Sequence, residues 1–239
     1  MKKVYVVGTC DTKHEELSYV KSIIEENGLE AVLVHVGSRE AGGEVDVQNR
    51  EVAAAHPDGP GFLDGIDDRG KAVGMMGEAL ENYVREHLDE IGGMISLGGS
   101  GGTSLATRGM RALPIGVPKL MVSTVASGNV SPYVGPNDIS MMYSVTDVAG
   151  INKISARVLG NAAHSITGMV KFELPEQTEV KPAVGMTMFG VTTPCVDAVR
   201  SQLEDQYDCL VFHATGTGGQ SMEKLLESGM LKGVIDIST

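Results

Sequence analysis

Short runs of β-forming residues, each closed by a glycine or serine turn and followed by helical periodicity, recur along this chain. Val4-Tyr5-Val6-Val7 ends in Gly8; Leu17, Val20, Ile23 and Ile24 then follow at helical spacing until Asn27-Gly28. Ala31 to Val36 ends in turn at Gly37. Apolar runs this short, without alternation, are strands buried on both faces, and Asn-Gly after a periodic stretch is a helix C-terminal signal. The unit is βαβ, with a right-handed crossover by default. Further strands are expected at Met94–Leu97, Lys119–Val122, Met141–Val145, Ala183–Met188, Cys209–His213 and Val234–Asp236. Helices are expected over 71–89, from the 98–104 turn to Leu113, and over 194–205 and 216–229. Another carries Ile151, Ile154, Val158, Ala162, Ile166 and Met169 on one face. Alternation of β and α throughout predicts an α/β fold with parallel, Rossmann-like sheets.

The alternation breaks once. Residues 172–182 are polar and bounded by Pro175 and Pro182, which reads as a linker between a lobe at 1–171 and a second at 183–239. The second lobe halts just after its third strand and reads as the start of a longer, truncated one. Residues 38–70 are irregular, with a helix expected near Val45 to Ala55. Such an excursion is either a lid or partner surface or an ordinary surface loop. Gly99-Ser100-Gly101-Gly102-Thr103-Ser104 and Gly216-Thr217-Gly218-Gly219-Gln220-Ser221 share the pattern GxGGxS. That echo reads either as two related lobes or as coincidence between glycine-rich turns.

Composition removes several function classes. With 19 basic against 31 acidic residues the formal charge is −12, a field that repels a nucleic-acid backbone. One small phosphate is not excluded, because local backbone dipoles can hold it. Cys10, Cys195 and Cys209 form no CxxC pair, so a reduced, cytoplasmic setting is expected rather than a disulfide framework. The first apolar run is too short for a signal peptide or a membrane span. A hydrophobic fraction of 42% over 239 residues suits a soluble chain with a sizeable core.

In an open α/β sheet, ligands bind beyond the carboxyl ends of the strands. Those ends carry Thr9, Asp11, Thr12 and Lys13; then Gly99, Ser100, Gly101, Gly102 and Thr103; then Ser123, Thr124 and Ser127. The second lobe adds Thr192 and Thr193, with Thr215, Gly216, Thr217, Gly218 and Gly219. Glycines admit a ligand close to the backbone, successive amides cradle an anion, and a helix N-terminus adds partial positive charge. The same residues also build tight βα turns and N-caps. Two glycine pairs within 98–102 exceed what a cap requires.

The standard fingerprints fail. Gly101-Gly102-Thr103-Ser104 lacks the Walker A lysine, and Ser104 stands where a dinucleotide fold wants glycine. Asp11 is suited to Mg²⁺ through water or to a ribose hydroxyl, and Lys13 to a phosphate. Equally, Asp11 or Thr12 could cap the helix while Lys13 is solvated. No histidine spacing suits zinc, and Ser123 and Ser127 lie in no GxSxG elbow. Cys10 opens a helix, a position that favours thiolate, but without a histidine partner in sequence it reads as a buried structural thiol.

Six segments together resemble the Tm-1-like ATP-binding family, also called UPF0261. They are Val-Gly-Thr-Cys-Asp-Thr-Lys at 7–13, Leu-Gly-Gly-Ser-Gly-Gly-Thr at 97–103 and Ser-Thr-Val-Ala-Ser-Gly at 123–128. The others are Val-Thr-Asp-Val-Ala-Gly-Ile-Asn at 145–152, Met-Phe-Gly-Val-Thr-Thr-Pro-Cys-Val at 188–196 and His-Ala-Thr-Gly-Thr-Gly-Gly at 213–219. The resemblance implies the amino-terminal part of a longer protein with two Rossmann-like subdomains. It further implies ATP, with Mg²⁺ as companion ion, in a pocket between lobes, and self-association as a homodimer. A protein partner is also implied, since a plant member inhibits a viral replication protein by binding it; that antiviral role is not carried over. An ATP-using enzyme acting on a small metabolite and a non-catalytic, nucleotide-gated interaction module both remain open. So does a pocket for a sugar phosphate or carboxylate, given the missing lysine.

Overall fold

The computed structural model describes residues 2–65, 68–172, 181–214 and 216–238. Two compact units are distinct, one spanning 1–113, 117–134 and 138–173, the other 114–116, 135–137 and 174–239. Of the expected linker, residues 173–180 lie outside the described residues.

In the first unit, five parallel strands take the order β2-β1-β3-β4-β5. They are β1 (Lys3–Gly8), β2 (Ala31–His35), β3 (Ile91–Gly98), β4 (Lys119–Ser123) and β5 (Ser140–Tyr143). Val4 and Val6 pack on one face with Leu17, Val20 and Ile24 of α1 (Cys10–Glu26) and with α6 (Lys153–Lys171). Tyr5 and Val7 pack on the other, against α3 (Arg69–Glu86) and α4 (Ser100–Ala112). Both faces are covered, which is why these strands are near-continuous apolar runs. α1 ends as expected, with Gly28 in the left-handed region at φ +83°.

Three expectations change. The excursion after β2 folds as α2 (Asn49–Ala53) and a 3₁₀ turn at Pro60–Asp64, shorter than the helix expected there. It buries Val47, Val52, Ala53 and Phe62 in the core, so it is a packed part of the wall. Ile66 and Asp67 lie outside the described residues. In α6 the buried stripe is Ser155, Leu159, Ala162, Ala163 and Ile166, while Ile154 and Met169 are exposed. Asn152 fixes the helix start by accepting the N–H groups of Ile154 and Ser155; of the expected face Ala162 and Ile166 are buried, and Ile151 and Val158 pack against the same core. The strand expected through Val145 ends at Tyr143. Val145 instead centres a tight turn at φ +66°, closed by Thr146 N–H to Ser144 O at 2.7 Å. A β-branched residue there is strained, a feature that concentrates at functional sites.

The second unit is a parallel sheet in the order β7-β6-β8, from β6 (Ala183–Met188), β7 (Asp208–His213) and β8 (Gly233–Ile235). α7 (Thr193–Leu203) follows β6 and α8 (Thr217–Glu227) follows β7. Gly99 caps a helix after its unit's third strand, whereas Gly216 caps one after its unit's second. The GxGGxS echo thus falls on non-equivalent turns, which removes the support it lent to related lobes. A short helix, α5 (Ser131–Val134), and a 3₁₀ turn at Gly190–Thr192 complete the inventory of the described residues. None of their helices is long and apolar enough to cross a membrane.

Candidate functional site

The order 2-1-3-4-5 determines where a ligand fits. β1 leads into α1 on one face and β3 into α4 on the other, so the chain parts between β1 and β3. In doubly wound sheets that divergence is the binding crevice. The tips of β1 and β3 supply Gly8 to Lys13 and Gly98 to Thr103.

At the β3 tip, the first helical hydrogen bond of α4 runs from Thr103 N–H to Gly99 O at 2.8 Å. The amides of Ser100, Gly101 and Gly102 precede it and face the anion-attracting end of the helix. A Cβ at Gly101 would meet nothing within 4 Å; at Gly102 its nearest neighbour is Leu97 O at 3.9 Å, and at Gly99 it is Thr124 Oγ1 at 3.8 Å. None of the three has a left-handed φ. Neither packing nor backbone conformation demands glycine here, yet glycine weakens a helix by about 0.5–1 kcal/mol relative to alanine. By contrast, Gly218 is required by packing, because a Cβ there would stand 2.0 Å from His213 O.

Thr103 and Ser123 are fully buried. Their hydroxyls lie 2.6 Å apart; Thr103 also donates to Gly99 O, and Ser123 Oγ accepts Val125 N–H. These two expected ligand groups are therefore engaged in pinning the β3 and β4 turns. Thr124 N–H bonds Gly98 O at 3.2 Å and sets its side chain beside Gly99. Ser127 stands in the turn closed by Gly128 N–H to Val125 O.

At the β1 tip, Thr9 and Thr12 pair their hydroxyls at 3.1 Å, and Lys13 leaves helical geometry at φ −132°, ψ 22°. Asp11 packs toward β2, on the far side of β1 from β3, and its Oδ1 is buried without a hydrogen-bond partner. Beneath it, His35 is fully buried. Its Nδ1 accepts the N–H groups of both Cys10 and Gly37 at 3.1 Å, and its Nε2 bonds Arg39 O at 2.8 Å. That pattern fixes the tautomer with the proton on Nε2. Burial pushes the Cys10 thiol up to about 12, and its Sγ donates to Gly8 O at 3.6 Å. Cys10 is a structural thiol.

A groove of about 430 Å³ opens beside the first turn of α1, between residues 10–16 and Gly42, Ala149 and Gly150. Glu16, buried in its wall, accepts Gly150 N–H at 2.7 Å and ties the strained loop after β5 to α1. His35, Glu16 and Gly150 are absent from the residues expected from sequence. The segment 145–152 was the available signal for the last.

In the second unit, Thr192 Oγ1 bonds the backbone of Phe189 and lies 2.6 Å from Ser238 Oγ. Thr193 Oγ1 donates to Gly190 O at 3.1 Å. Gly216 has φ +63°, which its turn requires. Thr217 and Gly219 lie in the first turn of α8, and Thr215 lies outside the described residues.

Comparison with known proteins decides the family. The model for the N-terminal domain of the uncharacterised protein family UPF0261 matches residues 2–175, and that for its C-terminal domain matches 181–239. The chain belongs to UPF0261. A UPF0261 protein of Rhizobium meliloti is 54% identical over 100% of this chain and 60% of its own length. The ToMV resistance protein Tm-1 of Solanum lycopersicum is 40% identical over 99% of this chain and 35% of its own. This UPF0261 chain therefore spans little more than half of its bacterial relatives and about a third of the tomato one. Among solved structures, a UDP-GlcNAc 2-epimerase of Methanocaldococcus jannaschii aligns at TM-score 0.34 and 9% identity, over 99% of this chain and 73% of that one. A likeness that slight adds nothing to the topology above.

Proposed function

We propose that the first unit of this UPF0261 chain binds a nucleotide, ATP in the first instance, with its phosphates on the turn from Gly99 to Gly102. One observation carries the reading: Gly99, Gly101 and Gly102 are glycine where the fold itself leaves room for a side chain. Space held open at a helix N-terminus, with three free-facing amides, suits a phosphate. The location at the divergence of β1 and β3 supports it. Thr124, beside Gly99, adds a hydroxyl.

Asp11 lies on the β2 side, which suits a ribose hydroxyl better than the phosphates. Mg²⁺ takes one or two carboxylates and completes its shell with water and phosphate oxygens. Asp11 stands away from the phosphate turn and its partnerless Oδ1 is closed off against Gly37, so as placed it does not fit that role. Among the described residues no group of three histidines, cysteines or carboxylates could hold a metal unaided. Thr103, Ser123 and His35 act as positioning residues. Titration of ATP with Mg²⁺ into the chain and into Gly101→Ala tests the reading. Saturable binding of a sugar phosphate where ATP does not bind would replace it with the alternative ligand.

A further inference from the structure

A second cavity, of about 350 Å³, lies at the opposite, amino-terminal edge of the first unit's sheet. Its walls come from the start of β1 and β2, from α2, and from the end of α3. Tyr5 and Tyr83 line it, and both are more than nine-tenths buried. Tyr5 donates weakly to Glu90 Oε2 at 3.5 Å. The Tyr83 hydroxyl makes no hydrogen bond among the described residues, although its ring is held by stacking on His87 at 4.1 Å between centroids. The ring is buried while the phenol oxygen lines the cavity and makes no bond within the chain, which leaves it free to meet a bound molecule.

The lining is rich in acceptors. Of the carboxylates around it, Glu30 is paired with Lys3 at 2.7 Å, and Asp46 with Lys21 at 3.2 Å. Glu51 and Glu90 are not in ion pairs among the described residues. His87 Nδ1 bonds Tyr83 O at 2.8 Å and must donate there. The two phenols remain protonated well above neutrality, because burial, with the nearby carboxylates of Glu51 and Glu90, raises both.

A ligand matching this lining brings donors and positive charge, with a short apolar stem for the Tyr83 ring and Val32. We propose that the cavity binds a small organic ammonium ion, held by Glu51, Glu90 and the Tyr83 hydroxyl. It is independent of the nucleotide reading, since it uses the other edge of the sheet.

Calorimetric titration with n-butylammonium, and with butyrate as the charge-reversed control, tests this. Saturable binding of the amine alone is expected. Tyr83→Phe keeps the ring against His87, and Glu51→Gln changes only an exposed group; each should weaken binding by about tenfold. Thermal melts of both variants check that the fold is intact. Gly101→Ala should leave amine binding unchanged. Absence of saturable binding, equal binding of butyrate, or full-strength binding in either Tyr83→Phe or Glu51→Gln overturns the proposal.

Discussion

The Asp11 carboxylate rests on the backbone of Gly37, so closely that a Cβ at residue 37 would stand 2.4 Å from its Oδ1. That Cβ would also stand 2.6 Å from His35 Cε1. The glycine after β2 is thus the floor on which the candidate ligand group sits. Gly37→Ala should displace Asp11, lower stability by about 1–3 kcal/mol through overpacking, and weaken nucleotide binding. Urea unfolding and titration of the same sample measure both. An unchanged unfolding midpoint would show that the carboxylate moves aside freely.

His35 joins two turns through one nitrogen. His35→Phe fills the space but leaves the Cys10 and Gly37 N–H groups buried and unsatisfied, each costing about 1–3 kcal/mol. We expect a loss of at least about 2 kcal/mol by urea unfolding. His35→Gln, which retains an acceptor, should recover part of it.

The alkaline limb of stability follows from buried acids. Cys10 rises from an ordinary 9.0 to about 12, and Tyr83 from 10.0 to about 12, chiefly by desolvation. Between those values the unfolded chain loses protons that the folded chain keeps. Stability is therefore undiminished by these groups below about pH 9 and falls as pH climbs toward 12. Melting temperature across that range should decline, and Cys10→Ala should flatten the decline. At mildly alkaline pH, exposed Cys195 should react with a thiol reagent well before Cys10.

Lys119 is fully buried at the amino end of β4, its Nζ 2.7 Å from Asp138 Oδ1 and 2.6 Å from Val117 O. Removing one partner of such a pair strands the other's charge, whereas an apolar replacement of similar volume can be nearly neutral. The Asp138 side chain is 40% exposed and Lys119 keeps Val117 O, so Asp138→Ala should cost about 1–2 kcal/mol, and Lys119→Met less. The reverse order in denaturant titrations would contradict this account.

The strands were legible because burial on both faces leaves an unbroken apolar run, as at Val4–Val7. The turns at 8–13, 98–104 and 123–128 were legible because glycine and hydroxyl residues punctuate those runs. Less visible was which hydroxyls face outward. Thr103 and Ser123 read as ligand groups, yet they meet each other across 20 residues of chain. Glu16 and Gly150 meet across 134, a pairing that local periodicity does not encode. His35 resembles an ordinary core histidine until the strand order places it under two turns. On α6 the expected face holds at Ala162 and Ile166, with Ile151 and Val158 packed against the same core, and fails at Ile154 and Met169, which are exposed near the helix ends.

The central claim is that the glycines of the β3–α4 turn are kept for a ligand. Calorimetric titration of ATP with Mg²⁺ into the chain and into Gly101→Ala, with melting temperatures on both, tests it most directly. The account predicts saturable binding that falls at least about tenfold in the variant. It also predicts a melting temperature that holds or rises, because alanine is the better helix former and meets nothing there. ATP binding unchanged by Gly101→Ala, or a variant that is destabilised, would contradict it.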